Sequence, residues 1–156
     1  MMWKYLLFLA PIVLTGCQVN FSSVWEDIPG LRSSDRAPLM MKAIALGQQT
    51  YYQNQGYFAN SLQGLSGHLN LETDSYQYAI KTEGETAQTV FITATAKTDD
   101  LRSYSGVMTV GKNEGGVVLM ANLCQTDTPS KVPPLLSSTP VPGQGFKCPP
   151  GSTPVR

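Results

Sequence analysis

Three hydrophobic patterns follow one another along the chain, and each predicts a different kind of structure. The first is an uninterrupted apolar run over residues 5–14. In the second, Met40, Ala43, Ile44, Gly47 and Tyr51 recur at helical spacing. The third is an alternation of apolar and polar side chains in stretches that begin at residue 75. This order predicts an α+β domain, preceded by a segment of another kind.

The helical pattern carries its own start and stop signals. Ser34 or Asp35 is the predicted N-cap, Pro38 lies in the first turn, and Gly56 ends the helix. One face is apolar and is expected to pack on a sheet. The opposite face is expected to be solvated and carries Lys42, Gln48, Gln49 and Gln53.

Strand patterning follows after a short helical turn, which Asn60 or Ser61 is expected to cap. Alternation predicts four strands, over residues 75–81, 87–96, 103–110 and 116–122. Short polar turns separate consecutive strands, so neighbours are expected to pair antiparallel as a meander. The predicted fold is therefore α+β, with one amphipathic helix packed on a four-stranded antiparallel sheet.

The segment after the last strand lacks any period. Residues 125–147 include five prolines, which exclude a helix or a central strand. Cys124 and Cys148 flank this segment, and an even pair in an exported chain predicts a disulfide. Closing a loop of about 25 residues stabilises the fold by about 3.5 kcal/mol in the chain-entropy model.

The N-terminal apolar run follows Lys4 and is too short to span a bilayer, which is typical of a secretory signal peptide. Residues 14–17, Leu-Thr-Gly-Cys, also resemble the lipobox of bacterial lipoproteins. That resemblance implies cleavage before Cys17, whose thiol and new amino terminus would carry acyl chains such as palmitate. The alternative is an ordinary signal peptide cleaved nearby, which leaves a free thiol at Cys17.

The lipoprotein interpretation divides the chain into three parts. Residues 1–16 are the signal peptide, 17–35 a lipidated tether without sustained period, and 36–156 the folded domain. Apolar side chains of the tether either enter the membrane interface or pack on the domain; they belong to Phe21, Val24 and Trp25. Gln18 stands where retention in the inner membrane uses an acidic residue, so the outer membrane is favoured.

Charge and composition exclude one class of partner. Eleven basic residues balance eleven acidic ones, and loss of Lys4 with the signal leaves a net charge near minus one. No basic surface is available to gather nucleic acid. Charged residues make up 14% of the chain, a low share that suits an exported β-rich domain.

Residues with catalytic chemistry are sparse. His68 is the only histidine, so neither a metal site with several imidazoles nor a Ser/His/Asp triad is supported. Two acidic pairs, Glu83 with Glu85 and Asp99 with Asp100, fall in predicted turns, where polar residues are common. We therefore expect no enzyme activity, no cofactor, no metal and no small-molecule substrate.

A group of aromatic residues has two interpretations. Tyr76 and Tyr78 alternate in the first predicted strand and are a candidate surface for a protein partner or a glycan. Aromatic side chains beside a sheet more often form the core between helix and sheet, and this interpretation is favoured.

The order of these elements resembles the globular part of the cyanobacterial type IV pilin-like G/H family. In that family a small residue, two glutamines and an aromatic end the long helix, and a Gly-aromatic-Ala segment precedes a Tyr-rich first strand. The corresponding residues here are Gly47, Gln48, Gln49, Tyr51, Tyr52, Gly56, Phe58, Ala59, Leu62, Leu65, Tyr76 and Tyr78. Residues 102–110 and the cysteine-containing residues 146–154 also look like that family, so the resemblance spans residues 38–154.

One departure from type IV prepilins shapes the functional expectation. The prepilin cleavage site, with an acidic residue at the fifth mature position and a long apolar helix half, has no counterpart in this sequence. The resemblance thus implies a pilin-like domain displayed on a membrane by acyl chains, which acts by protein-protein contact with pilus or secretion components. A surface module that binds glycan or envelope polymer is the alternative function.

Overall fold

One long helix lies against a five-stranded antiparallel sheet in the computed structural model of the chain. The structure describes residues 33–65, 73–113, 116–137 and 146–155. The predicted signal peptide, Cys17 and His68 lie outside the described residues. Helix α1 covers Ser33–Gln55, and the short helix α2 covers Leu62–Leu65.

The sheet is a meander in which each strand pairs with its neighbours in the chain. Its strands are β1 (Tyr76–Glu83), β2 (Thr89–Ala96), β3 (Tyr104–Asn113), β4 (Gly116–Thr126) and β5 (Ser152–Pro154). The first four confirm the predicted strands. The fifth, which the sequence pattern did not predict, returns after the disulfide loop and pairs with the end of β4.

Alternation along the strands sorts side chains between the two faces of the sheet. In β2 every second residue is buried, and these apolar side chains face α1. Met41 and Ile44 of the helix pack against them, with Ile92 of β2 at the centre. The predicted packing of an apolar helix face on the sheet is therefore confirmed. The buried positions are, however, Ala37, Met41, Ile44 and Gln48, whereas Met40, Ala43, Gly47 and Tyr51 of the predicted stripe are only partly buried.

The ends of the helices follow the predicted signals in part. Gly56 ends α1 in the left-handed conformation, φ 78°, and its N–H donates to the carbonyl of Tyr52 at 2.8 Å. Ser61 caps α2, since its Oγ accepts the N–H of Gly64 at 3.2 Å. The start of α1 differs: the helix already includes Ser33, so Ser34 and Asp35 lie in its first turn.

Gln48 contradicts the predicted solvated face of α1, because its side chain is 0% exposed. Its Nε2 donates to the carbonyl of Ala59 at 2.9 Å, and its Oε1 accepts the N–H of Ala59 at 2.9 Å. One side-chain amide thus satisfies both backbone groups of a buried residue in the loop after the helix. The loop is thereby held against α1.

A second set of polar contacts joins the same loop to the turn between β1 and β2. The N–H of Phe58 donates to the carbonyl of Ala87 at 3.0 Å. The amide of Gln88 accepts from the Tyr52 hydroxyl at 2.9 Å and donates to the carbonyl of Gly56 at 3.2 Å. The end of α1, the loop and the sheet are therefore linked by hydrogen bonds as well as by apolar packing.

Three tyrosines form the aromatic part of the core at the other end of the sheet. The ring of Tyr76 lies 6.2 Å from that of Tyr78 and 6.1 Å from that of Tyr104, between ring centroids. The Tyr76 hydroxyl donates to the carbonyl of Arg102 at 3.1 Å, and the Tyr104 hydroxyl to that of Ser34 at 3.2 Å. Burial raises the pKa of both Tyr76 and Tyr78 above the ordinary tyrosine value.

The Gln48 contact predicts a specific loss of stability. Replacing Gln48 with Ala leaves both backbone groups of Ala59 without their partner and opens a cavity, so the free energy of unfolding should fall by about 2–4 kcal/mol. Urea denaturation at neutral pH measures this. Its control is Gln49→Ala at an exposed neighbouring position, expected within about 0.5 kcal/mol of wild type. Equal effects of the two substitutions would contradict the assigned contact.

The buried tyrosines predict alkaline destabilisation. Tyrosine in an unfolded chain ionises near pH 10, and in the folded domain the pKa of Tyr78 is raised by burial. The buried neutral ring therefore contributes fully to the free energy of unfolding below about pH 10, and this contribution is lost as the pH rises through the pKa of the folded state. Urea denaturation should show stability falling above about pH 10, less steeply in Tyr78→Phe. The exposed Tyr57→Phe serves as control, and an unchanged slope in Tyr78→Phe would refute the assignment.

Candidate functional site

The face of the sheet turned away from α1 is partly covered by residues 129–137 and 146–147, the described residues of the proline-rich segment between β4 and Cys148, which we call the covering segment. Cys124 lies within β4, not after it as predicted, and forms the predicted disulfide with Cys148, with 5.7 Å between their Cα atoms. Val107 of β3 is fully buried on this face, close to Leu135 and Phe146 of the covering segment. This proline-rich segment therefore forms a second layer over β3 and β4.

Hydrogen bonds hold both ends of the covering segment. At its start the N–H of Ser130 donates to the carbonyl of Leu101 at 2.9 Å. At its end the side-chain amide of Asn122 donates to the carbonyl of Phe146 at 3.2 Å. An exposed ion pair of 2.8 Å between Lys131 and Asp99 adds a contact to the turn between β2 and β3. The disulfide thus reinforces a segment that is also fixed by other contacts.

A groove of about 320 Å³ lies between the covering segment and the outer side of β1 and β2. Ala79 and Phe91 form its floor, and Leu135, which is 91% exposed, stands on its opposite wall. The hydroxyl of Ser105 is buried in this lining and has no hydrogen-bond partner among the described residues. The groove is the most evident place on this face for an apolar side chain to bind.

Charges near the groove neutralise one another. Lys81 and Glu83, both on β1, line the groove and form an ion pair with 3.1 Å between Nζ and Oε1. Both side chains are well exposed, so the pair contributes little to stability. The groove therefore favours an uncharged ligand.

The two tyrosines of the candidate partner surface lie in the core. Tyr76 is 1% exposed and Tyr78 is 8% exposed, which agrees with the favoured interpretation of their alternation. Their rings are covered by α1 and by each other, and in this conformation neither can stack on a partner or a glycan. A different pair reaches the surface: Tyr57 is 44% exposed and meets Tyr51 edge to face at 5.7 Å.

The acidic pairs do not assemble into a catalytic arrangement within the described parts of the chain. Glu83 pairs with Lys81, and Asp99 pairs with Lys131. A hydrogen bond from Thr98 lowers the pKa of the exposed Asp100, so this carboxyl is a stable anion in a turn. Among the described residues no three His, Cys, Asp or Glu side chains are grouped so that they could hold a metal ion.

Over residues 33–65, 73–113, 116–137 and 146–155, no helix is both long and apolar enough to cross a bilayer.

The groove residues were not singled out by the sequence pattern, although a signal for them exists. Phe91 is the one large apolar residue among the outward positions of β2, where threonines otherwise stand. Leu135 and Leu136 are an apolar pair within the proline-rich segment. Both features are visible in the sequence, but only the fold shows that they face the same groove.

Comparison with known families adds a single result. A model of the type IV pilin-like G and H family matches residues 35–149, well over half of the chain. The match includes nearly all of α1, strands β1 to β4 and both disulfide cysteines. No curated protein and no solved structure gives a significant match.

The matched region coincides with the helix, the meander and the disulfide-closed segment, which are the same elements that carried the resemblance in the sequence. The α+β arrangement described above is accordingly the pilin-like fold of this family. The chain belongs to the type IV pilin-like G and H family.

Proposed function

We propose that this protein is a lipid-anchored, extracytoplasmic pilin-like protein that acts through protein-protein contacts, as an accessory to type IV pilus or secretion machinery. The observation that carries the proposal is the family match over residues 35–149, which covers the folded domain apart from β5 and relates it to type IV pili and to the cell envelope. The remaining steps concern how the domain is held there and what it contacts.

The anchor is proposed at Cys17. Residues 14–17 have the lipoprotein pattern directly after the apolar run of a signal peptide. One acyl chain binds a membrane only marginally, at about 0.8 kcal/mol per buried methylene, whereas two or more hold stably. Acylation of both the thiol and the amino terminus of Cys17 would therefore anchor the domain firmly, with the outer membrane favoured over the inner.

Tethering is the proposed mechanism. Acyl chains confine the domain to the membrane surface, which raises its effective concentration near membrane-bound partners without any new contact. In a filament-forming pilin a long apolar helix half would pack against other subunits. Here the acyl chains replace that half, so the domain serves as a displayed head and not as a filament subunit.

Partner contacts are proposed on the exposed apolar side chains of the covering segment. Leu135 and Val132 of the covering segment are large apolar residues that are mostly exposed. Exposed apolar side chains beside a groove are typical of protein-protein contact sites. No acid-base pair or metal cluster in the described residues supports an enzyme, so we propose a binding role without catalysis.

A second candidate function is binding of glycan or envelope polymer. Tyr51 and Tyr57 support it, because the exposed Tyr57 and the partly buried Tyr51 form an aromatic pair at the surface, which Tyr76 and Tyr78 do not provide. A glycan array would separate the two functions. Glycan binding by the wild type that is lost in Tyr57→Ala favours a glycan-binding function, whereas a wild type that binds no glycan favours the protein-protein function.

Replacing Cys17 tests the proposed anchor and mechanism together. In Cys17→Ser the acylation site is gone, so the protein should leave the membrane fraction, lose palmitate labelling, and no longer co-purify with pilus or secretion components captured by the wild type. Cell fractionation, metabolic labelling and pull-down with the native tether measure the three effects.

The matched control for that test changes cysteine number without touching the anchor. A Cys124→Ser/Cys148→Ser protein should remain labelled and bound to membranes. Membrane association with palmitate label in Cys17→Ser would refute the anchor, and captured material without any pilus or secretion component would refute the proposed role.

A further inference from the structure

Within the described parts of the chain, no strand pairs with the outer edge of β1. In an antiparallel pair, alternate residues direct their N–H and C=O groups toward the partner strand and away from it. Ser75 bonds to Lys97 beyond the end of β2, whereas Tyr76 bonds outward to Thr73. The backbone groups of Tyr78, Ile80 and Thr82 therefore also point away from β2. No described residue makes a hydrogen bond to them.

This edge lacks the features that usually block strand addition. β1 pairs with β2 over eight consecutive residues without a bulge, and it contains no proline. The charge of Lys81 is balanced by Glu83. Proteins commonly protect edges with bulges, prolines or unbalanced lysines, so an edge of this kind is suited to accept another strand.

The groove described above lies beside the same edge, and it indicates which kind of strand could pair with β1. A side chain of an added strand that stands opposite Ala79 would lie over the groove, beside Phe91. A second copy of β1 would present its own outer-face residues there, namely Gln77, Ala79, Lys81 and Glu83. None of these is large and apolar, so a second copy would leave the groove unfilled.

The chain that precedes α1 emerges near the start of this edge. The carbonyl of Ser34 accepts the Tyr104 hydroxyl at 3.2 Å, and the Tyr104 ring lies 6.1 Å from the ring of Tyr76, the first residue of β1. Ten residues of extended chain reach about 33 Å, which is more than the length of β1. Residues 18–22 can therefore reach β1, and they would run antiparallel to it.

We propose that residues 18–22 add to β1 as an antiparallel edge strand of the same chain. Their sequence, Gln-Val-Asn-Phe-Ser, alternates polar and apolar side chains. With Phe21 opposite Ala79, Phe21 fills the groove and Asn20 exchanges backbone hydrogen bonds with Ile80. Gln18 and Ser22 then satisfy the remaining outward groups of β1, on Thr82 and Tyr78.

This pairing would turn the tether into a strap. Cys17 would lie directly at the end of the added strand, beside the Glu83 end of β1, which fixes the side of the domain that faces the anchor. The pairing does not require acylation of Cys17, so it stands or falls independently of the lipid anchor. Only its consequence for orientation on a membrane rests on the proposed function.

Hydrogen exchange on the protein purified from cells with its native tether, whether or not Cys17 is acylated, tests the strap. We expect the amides of Tyr78, Ile80 and Thr82 to be protected in the wild type, and to exchange at least about tenfold faster in Phe21→Asp. Val24→Asp is the matched control, because it introduces the same charge into the tether outside the paired segment. Amides of β3 report that the domain remains folded in each variant.

Each outcome decides the proposal. Protection that is lost in Phe21→Asp and kept in Val24→Asp supports the strap. Unprotected edge amides in the wild type, or protection that persists in Phe21→Asp, would overturn it. Edge protection that rises with protein concentration would overturn it in favour of self-association.

Discussion

The buried amide of Gln48 is the interaction on which the rest of the domain depends. Its side chain makes hydrogen bonds of 2.9 Å to both the N–H and the carbonyl of Ala59. These two bonds hold the loop that follows α1 against the helix. The N–H of the neighbouring Phe58 donates a hydrogen bond to the carbonyl of Ala87, in the turn between β1 and β2. Apolar contact alone specifies the rotation of a helix on a sheet only weakly, whereas a buried polar contact with all its hydrogen bonds made fixes it.

The two faces of the sheet differ in how completely they are covered. α1 covers one face and places Tyr76 and Tyr78 in the core. On the other face the described residues of the covering segment lie over β3 and β4, and an apolar groove separates them from the outer side of β1 and β2. In this member of the type IV pilin-like G and H family, the outer side of β1 is therefore where the described fold leaves room for a further strand.

Much of the fold could be predicted because the signals were local. Alternation predicted four strands, Gly56 marked the helix end, and the odd cysteine count left Cys124 and Cys148 as a pair. Gln48 was misplaced on the solvated face because glutamine is polar, although it follows the buried Ile44 by one helical turn. Its partner is the backbone of a later loop, which no local pattern reveals. Strand β5 is three residues long and too short for any alternation to predict.

The proposed function depends on acyl chains at Cys17 in place of a filament-forming helix. Mass spectrometry of the intact protein from native membranes, with fragmentation of its N-terminal peptide, tests this most directly. The account predicts a chain that starts at Cys17 and carries a diacylglyceryl group on the thiol and an acyl group on the amino terminus. A chain that retains residues 1–16, or one with an unmodified Cys17, would contradict it.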